Sequence, residues 1–173
     1  MIDLRISKEN EMVIVPTKTE GNAGYDIYVD PIWFEKAYGD IAVAHVGETL
    51  MLSTGIRTVI DSGWYIQIQE RGSTGTKAMK YGAGVIDSNF RGIHNVVITN
   101  CNNKPIVYYN DKKITKEQLE VIEKIGIAYP ISKAVAQFVI LPVPKVEIKV
   151  VSPEEILSEV SERGEKMLGS TNK

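Results

Sequence analysis

The stretch "WYIQIQERGSTGTK", Trp64 to Lys77, joins a half-wet strand to a glycine-rich polar loop, and that junction decides how the rest of the chain reads. From Tyr65 to Gln69 apolar and polar residues alternate, the period-2 pattern of a strand with one face in water. In "ERGSTGTK", glycines let backbone N–H groups approach an anion, Ser73 and the threonines add hydroxyls, and Arg71 and Lys77 add positive charge. Taken alone, the segment is equally a polar turn after a strand. It is not a Walker loop, because Thr76 separates Gly75 from Lys77 and no helical pattern follows.

Outward from this junction the chain continues in short β-branched runs separated by turn residues: "MVIVP", "YDIYVD", "TLMLSTGIRTVI", "GVIDSNFRG", "NVVITN", "AQFVILPVP" and "KVEIKVV". Many short strands without strand–helix alternation predict an all-β fold, a sandwich, barrel or jelly roll. Two helices are expected. In "TKEQLEVIEKIG", Thr115 caps, Gln118 completes a capping box and Gly126 stops the helix. In "SPEEILSEVSERG", Ser152 caps, Pro153 takes the first helical position, Glu155 closes the box and Gly164 ends it. The tail beyond is rich in Gly, Ser, Thr, Asn and Lys and is expected to be mobile until a ligand orders it.

At 173 residues the chain is one domain long, with 43% hydrophobic and 24% charged residues and a net charge of -2. Such a balance gives no basic surface for nucleic acid or membrane, so any anion must be held by locally placed groups. No apolar run approaches membrane-spanning length. Cys101 is the only cysteine, and the N-terminus is charged from its third residue; both place the expectation in the cytoplasm.

Candidate chemistry is sparse. In "GAGVIDSNFRG" (Gly82–Gly92) a hairpin is expected, and Asp87 at its turn is either a general base for water or the cap of that turn. His45 and His94 are far apart, with neither C-x-x-C nor H-x-E, which excludes a zinc deaminase. Cys101 lies in no nucleophile motif and reads as a small packed hydrophobe.

Taken in order, "AGYDIY" (Ala23–Tyr28), "ERGSTGTK", "GVIDSNFRG", "AVAQFVILPV" (Ala134–Val143) and "RGEKMLGSTN" (Arg163–Asn172) resemble the five ordered motifs of the trimeric, all-β dUTPases, with an ending similar to bacterial and phage members. The resemblance implies a distorted jelly roll over residues 1–160, with an insertion at about 101–133 bearing a short helix, and a flexible C-terminal lid over 161–173. It implies a homotrimer with active sites at subunit interfaces, hydrolysing dUTP to dUMP and pyrophosphate by water attack on the α-phosphorus. By motif, Asp87 is the base; Arg71, Gly72, Ser73 and Gln137 hold phosphates; and Asp26 supports the site or meets a metal-bound water. Backbone groups of Gly84, Val85 and Ile86 read uracil, and Phe90 packs under deoxyribose. Arg163 reaches the γ-phosphate while Leu168, Gly169 and Ser170 belong to the closing lid. Mg²⁺ is expected as cofactor, carried by triphosphate oxygens and water rather than by protein ligands.

The sequence departs from the family pattern at several positions. Gly72 stands where Ser is usual, Met167-Leu168 replaces Gly-Phe, Ile93 replaces Glu after "FRG", and Asn172 replaces the last glycine. These departures and the helix near 115–126 leave a second expectation, a catalytically weak dUTP-binding homologue acting as a regulatory module for a protein partner. The related dCTP deaminase group is disfavoured because "GIHNVV" supplies no glutamate after the hairpin.

Overall fold

The computed structural model describes residues 1–161 and Gly164. Its contacts divide the chain into two units, Met1–Val143 and Pro144–Lys173. Arg163, Leu168, Gly169 and Ser170 lie outside the described residues.

The first unit is built of short strands. β1 (Leu4–Lys8) pairs antiparallel with β5 (Ile56–Ile60). A three-stranded sheet sets β10 (Ile106–Tyr109) between β3 (Ile41–Ala44) and β11 (Ile127–Pro130). A second three-stranded sheet sets β9 (Asn95–Asn100) between β4 (Thr49–Ser53) and β7 (Met79–Gly82). The four-stranded sheet runs β2 (Tyr25–Ile27), β12 (Ala136–Pro142), β6 (Trp64–Gln69), β8 (Val85–Ile86). The inner residues of these sheets, with Ile27, Ile66, Ile98, Tyr108, Tyr129 and Phe138 essentially inaccessible, form one core. This is the jelly-roll-like all-β fold expected from the strand pattern, and β6 shows the alternation that predicted it: Ile66 and Ile68 are buried while Gln69 is exposed.

Among the described residues four helices accompany the strands. α3 (Lys116–Ile125) starts as the sequence predicts: Thr115 Oγ1 accepts from the Gln118 N–H at 3.2 Å, and the Gln118 side chain accepts from the Thr115 N–H at 2.8 Å. It stops at Gly126 for a steric reason. The glycine is extended (φ -166°), and a Cβ there would collide with the Pro105 carbonyl oxygen. Residues 101–133 also contribute β10 and β11, whose Ile106, Tyr108 and Tyr129 are core residues, so this segment is built into the fold.

α1 (Pro31–Tyr38) was not anticipated, although its signals are present: Asp30 caps the Ile32 and Trp33 N–H groups, Pro31 opens the helix and Gly39 ends it. Nor was the single turn α2 (Gly72–Gly75).

Several expectations are corrected. Cys101, expected to pack as a small hydrophobe, is exposed, and "MVIVP" and "KVEIKVV" form no strand. Gly82–Gly92 does not close as a simple hairpin: β8 pairs with β6, setting Ile86 opposite Ile66, while β9 pairs with β7 and β4. The buried Ile86 gains an apolar partner across β6, and that burial decides the pairing. In the second unit α4 spans only Pro153–Ser158 and stops well before Gly164. Ser152 caps it as expected, but all six residues are exposed, and a short helix without an apolar face to bury does not propagate.

Candidate active site

β6 ends at Gln69, and two residues later the extended Arg71 caps α2. The Thr74 hydroxyl closes this corner, accepting from the Arg71 N–H and donating to the Arg71 carbonyl, both at 3.0 Å, from a fully buried position. The corner aims the Arg71 guanidinium at β2. There Nε donates to Asp26 Oδ1 at 2.7 Å and Nη2 to Oδ2 at 2.9 Å, a fork-to-fork ion pair. Nη1 donates to Ser73 Oγ and to the Ala134 carbonyl, each at 3.2 Å. Burial alone would lower the Arg71 pKa, but the hydrogen bonds and charge of Asp26 outweigh it and hold the value above the ordinary one.

Register brings the other parts together. Gln137 on β12 stands opposite Asp26 on one side and Gln69 on the other, so residues distant in sequence form one row across the sheet. Gln137 Nε2 donates to the Glu70 carbonyl at 2.8 Å. Gly24 permits this placement, since a Cβ there would collide with the Gln137 amide. Asp26, Arg71, Gly72, Ser73 and Gln137 thus line one polar recess of about 760 Å³.

The recess is also lined by Thr17, Lys18, Thr19, Gly21 and Asn22, which sequence reading missed, and by Ala23 and Gly24 of the first motif. Lys18 donates to the Asn22 carbonyl at 2.9 Å and sits 4.8 Å from the Tyr25 ring centroid. Asp26 pairs with Arg71, so Lys18 supplies the recess's net positive charge among the lining residues. A lysine in a polar loop carries no sequence signal; only the fold sets it there.

Val85, Ile86, Asp87 and Phe90 line a different recess of about 320 Å³, with Met51, Ile93 and Val97 beside them. Asp87 is exposed at the head of a turn in which its carbonyl accepts from the Phe90 N–H at 3.0 Å. Gly84 lies beneath, its carbonyl accepting from the Ile68 N–H at 2.8 Å; a Cβ at Gly84 would sit 2.8 Å from the Ile68 oxygen. Val85 and Phe90 are exposed apolar residues flanking the carboxylate. The two recesses share no lining residue. Under Phe90 lies His94, fully buried, with Nε2 3.0 Å from Thr58 Oγ1 and its pKa lowered to about 4 by burial.

A jelly-roll-like β domain with a cationic polar recess at the β2–β12 end of its four-stranded sheet and, after β8 of the same sheet, a carboxylate beside an apolar recess has the parts of a nucleotide phosphohydrolase. The dUTPase family model matches residues 10–125. The chain is 30% identical to the deoxyuridine 5'-triphosphate nucleotidohydrolase of Debaryomyces hansenii, over 98% of this chain and 88% of that one. It is 29% identical to the enzyme of the same name from Nautilia profundicola, over 98% and 99%. In structure it is similar to a dUTPase of Staphylococcus bacteriophage 80alpha solved with dUpNHpp, with a TM-score of 0.71 over 99% of each chain at 22% identity, which shows the shared fold. The chain belongs to the dUTPase family.

Proposed function

We propose that this chain hydrolyses dUTP to dUMP and pyrophosphate by attack of water on the α-phosphorus, with Asp87 as the base. The observation that carries the reading is the sorting of the family's motif residues into two recesses, one polar and cationic around Arg71, the other apolar and carboxylate-bearing around Asp87, within a chain whose curated relatives are named for this activity.

The donors suit a triphosphate. Four of the five guanidinium N–H groups of Arg71 are engaged within the chain, leaving one on Nη2. The Ser73 hydroxyl accepts from Arg71 and keeps its own proton to donate, and Gln137 retains one amide N–H. Gly72 leaves the approach unobstructed, because a Cβ there would meet nothing. Asp87, on an exposed turn, accepts the proton of the attacking water; Phe90 and the backbone from Gly84 to Ile86 receive deoxyribose and uracil. Arg163 and the Leu168–Gly169–Ser170 segment close over the phosphates.

The homotrimer implied by the family resemblance would bring the cradle of one copy to the base of a neighbour, a reading compatible with two recesses that have no residue in common. Each Asp26 oxygen accepts one N–H from Arg71 and keeps a lone pair for a metal-bound water, so the residues fit Mg²⁺ brought in by the substrate. Among the described residues no cluster of three His, Cys, Asp or Glu offers a direct site. When bound, Mg²⁺ neutralises triphosphate charge and orders the phosphate chain. The lone cysteine supports a cytoplasmic setting. No helix among the described residues is long and apolar enough to cross a membrane.

The test is pyrophosphate release from dUTP with Mg²⁺. Wild type turns over, and Asp87→Asn loses about 10²–10⁴-fold in kcat. No release from wild type, or an undiminished rate in the variant, overturns the reading. Calorimetric binding of dUTP without turnover supports the regulatory-module alternative instead, and deamination of dCTP would move the chain to the neighbouring group.

A further inference from the structure

Two tyrosines that the reaction does not use converge on one peptide segment behind the cradle. Tyr129, on β11 and 1% exposed, donates its hydroxyl to the Ala134 carbonyl at 2.7 Å. Tyr81, on β7, donates to the next carbonyl, that of Val135. The Ala134 oxygen also accepts Arg71 Nη1 at 3.2 Å, and Gln137 follows three residues later. One carbonyl therefore receives two donors, Tyr129 from the core side and Arg71 from the recess side. A carbonyl oxygen has two lone pairs, so both bonds form together, and fixing one donor's direction fixes the direction left for the other.

We propose that Tyr129 is a positioning residue for Arg71: its hydroxyl fixes the Ala134 carbonyl, which in turn fixes Nη1 and, together with the Asp26 pair, the orientation of the guanidinium that lines the recess. The inference rests on the assignment of Arg71 to the phosphates. Tyr81 holds the adjacent peptide, so the segment leading into β12 is clamped at two successive carbonyls. Burial raises the pKa of both tyrosines above the ordinary value, so both hydroxyls remain protonated donors at neutral pH. The Tyr129 ring packs against Tyr108 at 5.6 Å between centroids within the core, so Tyr129→Phe keeps the packing and removes only the hydroxyl. β11 thereby acquires a role: the strand pairs with β10 on one edge and supplies the hydroxyl that sets the cradle.

The test is a double-mutant cycle on kcat/KM for dUTP, with a spectroscopic readout independent of turnover. Tyr129→Phe is expected to lower kcat/KM about tenfold in the wild-type background, the size of one hydrogen bond, and by less than about twofold in the Arg71→Lys background. In Arg-¹⁵N-labelled protein, the Arg71 Nε–H signal, assigned by its loss in Arg71→Lys, is expected to exchange with water several-fold faster in Tyr129→Phe, with the fold intact by circular dichroism. Equal losses in both backgrounds, or an unchanged kcat/KM, overturn the positioning role while leaving dUTP hydrolysis standing. If wild type itself shows no turnover, the functional reading fails, and the exchange rate alone then decides: acceleration supports the clamp, no change refutes it.

Discussion

Burial of one imidazole is expected to cost this protein stability in acid. His94 is fully enclosed, its Nε2 meets only the Thr58 hydroxyl, and burial lowers its pKa to about 4 from an ordinary value near 6.5. Between those values the unfolded chain binds a proton that the folded chain refuses. Stability from this group is therefore fully present above about pH 6.5, falls as pH drops towards about 4, and is flat below. Integrating the two titrations gives a loss of about 2 kcal/mol on going from pH 7 to pH 5. The perturbation is pH alone, and the control is His94→Gln, which keeps a hydrogen-bonding side chain without the titration. Urea unfolding at pH 7, 6 and 5, at one protein concentration, measures both. Wild type should lose about 2 kcal/mol more than the variant over that range. Parallel losses in the two proteins, or a His94 ring signal that titrates near pH 6.5, would refute the argument.

Other consequences are as direct. Arg71→Lys replaces a two-pronged pair with Asp26 by a point charge and should reduce kcat/KM for dUTP about 10–100-fold, read by pyrophosphate release. Gly55→Ala should destabilise by more than about 1 kcal/mol in urea unfolding: φ there is +65°, and a Cβ would lie 2.8 Å from an oxygen of Asp30, the cap of α1. Gly126→Ala should also be destabilising, because the new methyl meets the Pro105 carbonyl. Chelating Mg²⁺ should abolish turnover yet leave the melting temperature of the substrate-free protein within about 1 °C, since among the described residues no carboxylate cluster holds a metal.

Local chemistry was legible in the sequence. The alternation of β6, the Thr115–Gln118 capping box and the Ser152 cap each depend on neighbours a few residues apart, and each is present. α1 carried equally local signals in Asp30, Pro31 and Gly39, and these went unread. The motif residues were also legible as types, and five of them do gather in one recess.

What the sequence by itself determined is which residues favour strand, turn or cap and which side chains bring charge, because those properties act over a few bonds. What only the tertiary structure decided is their partnership. Register places Asp26, Gln137 and Gln69 in one row; burial of Ile86 turns β8 away from its expected hairpin and onto β6; lack of a packed face ends α4 at Ser158. Arg71 is set by Asp26 and by a carbonyl that Tyr129 also holds, contacts spanning 45 and 63 residues of chain. Such contacts depend on which surfaces the whole core buries together, a property of the assembled sheets rather than of any local stretch.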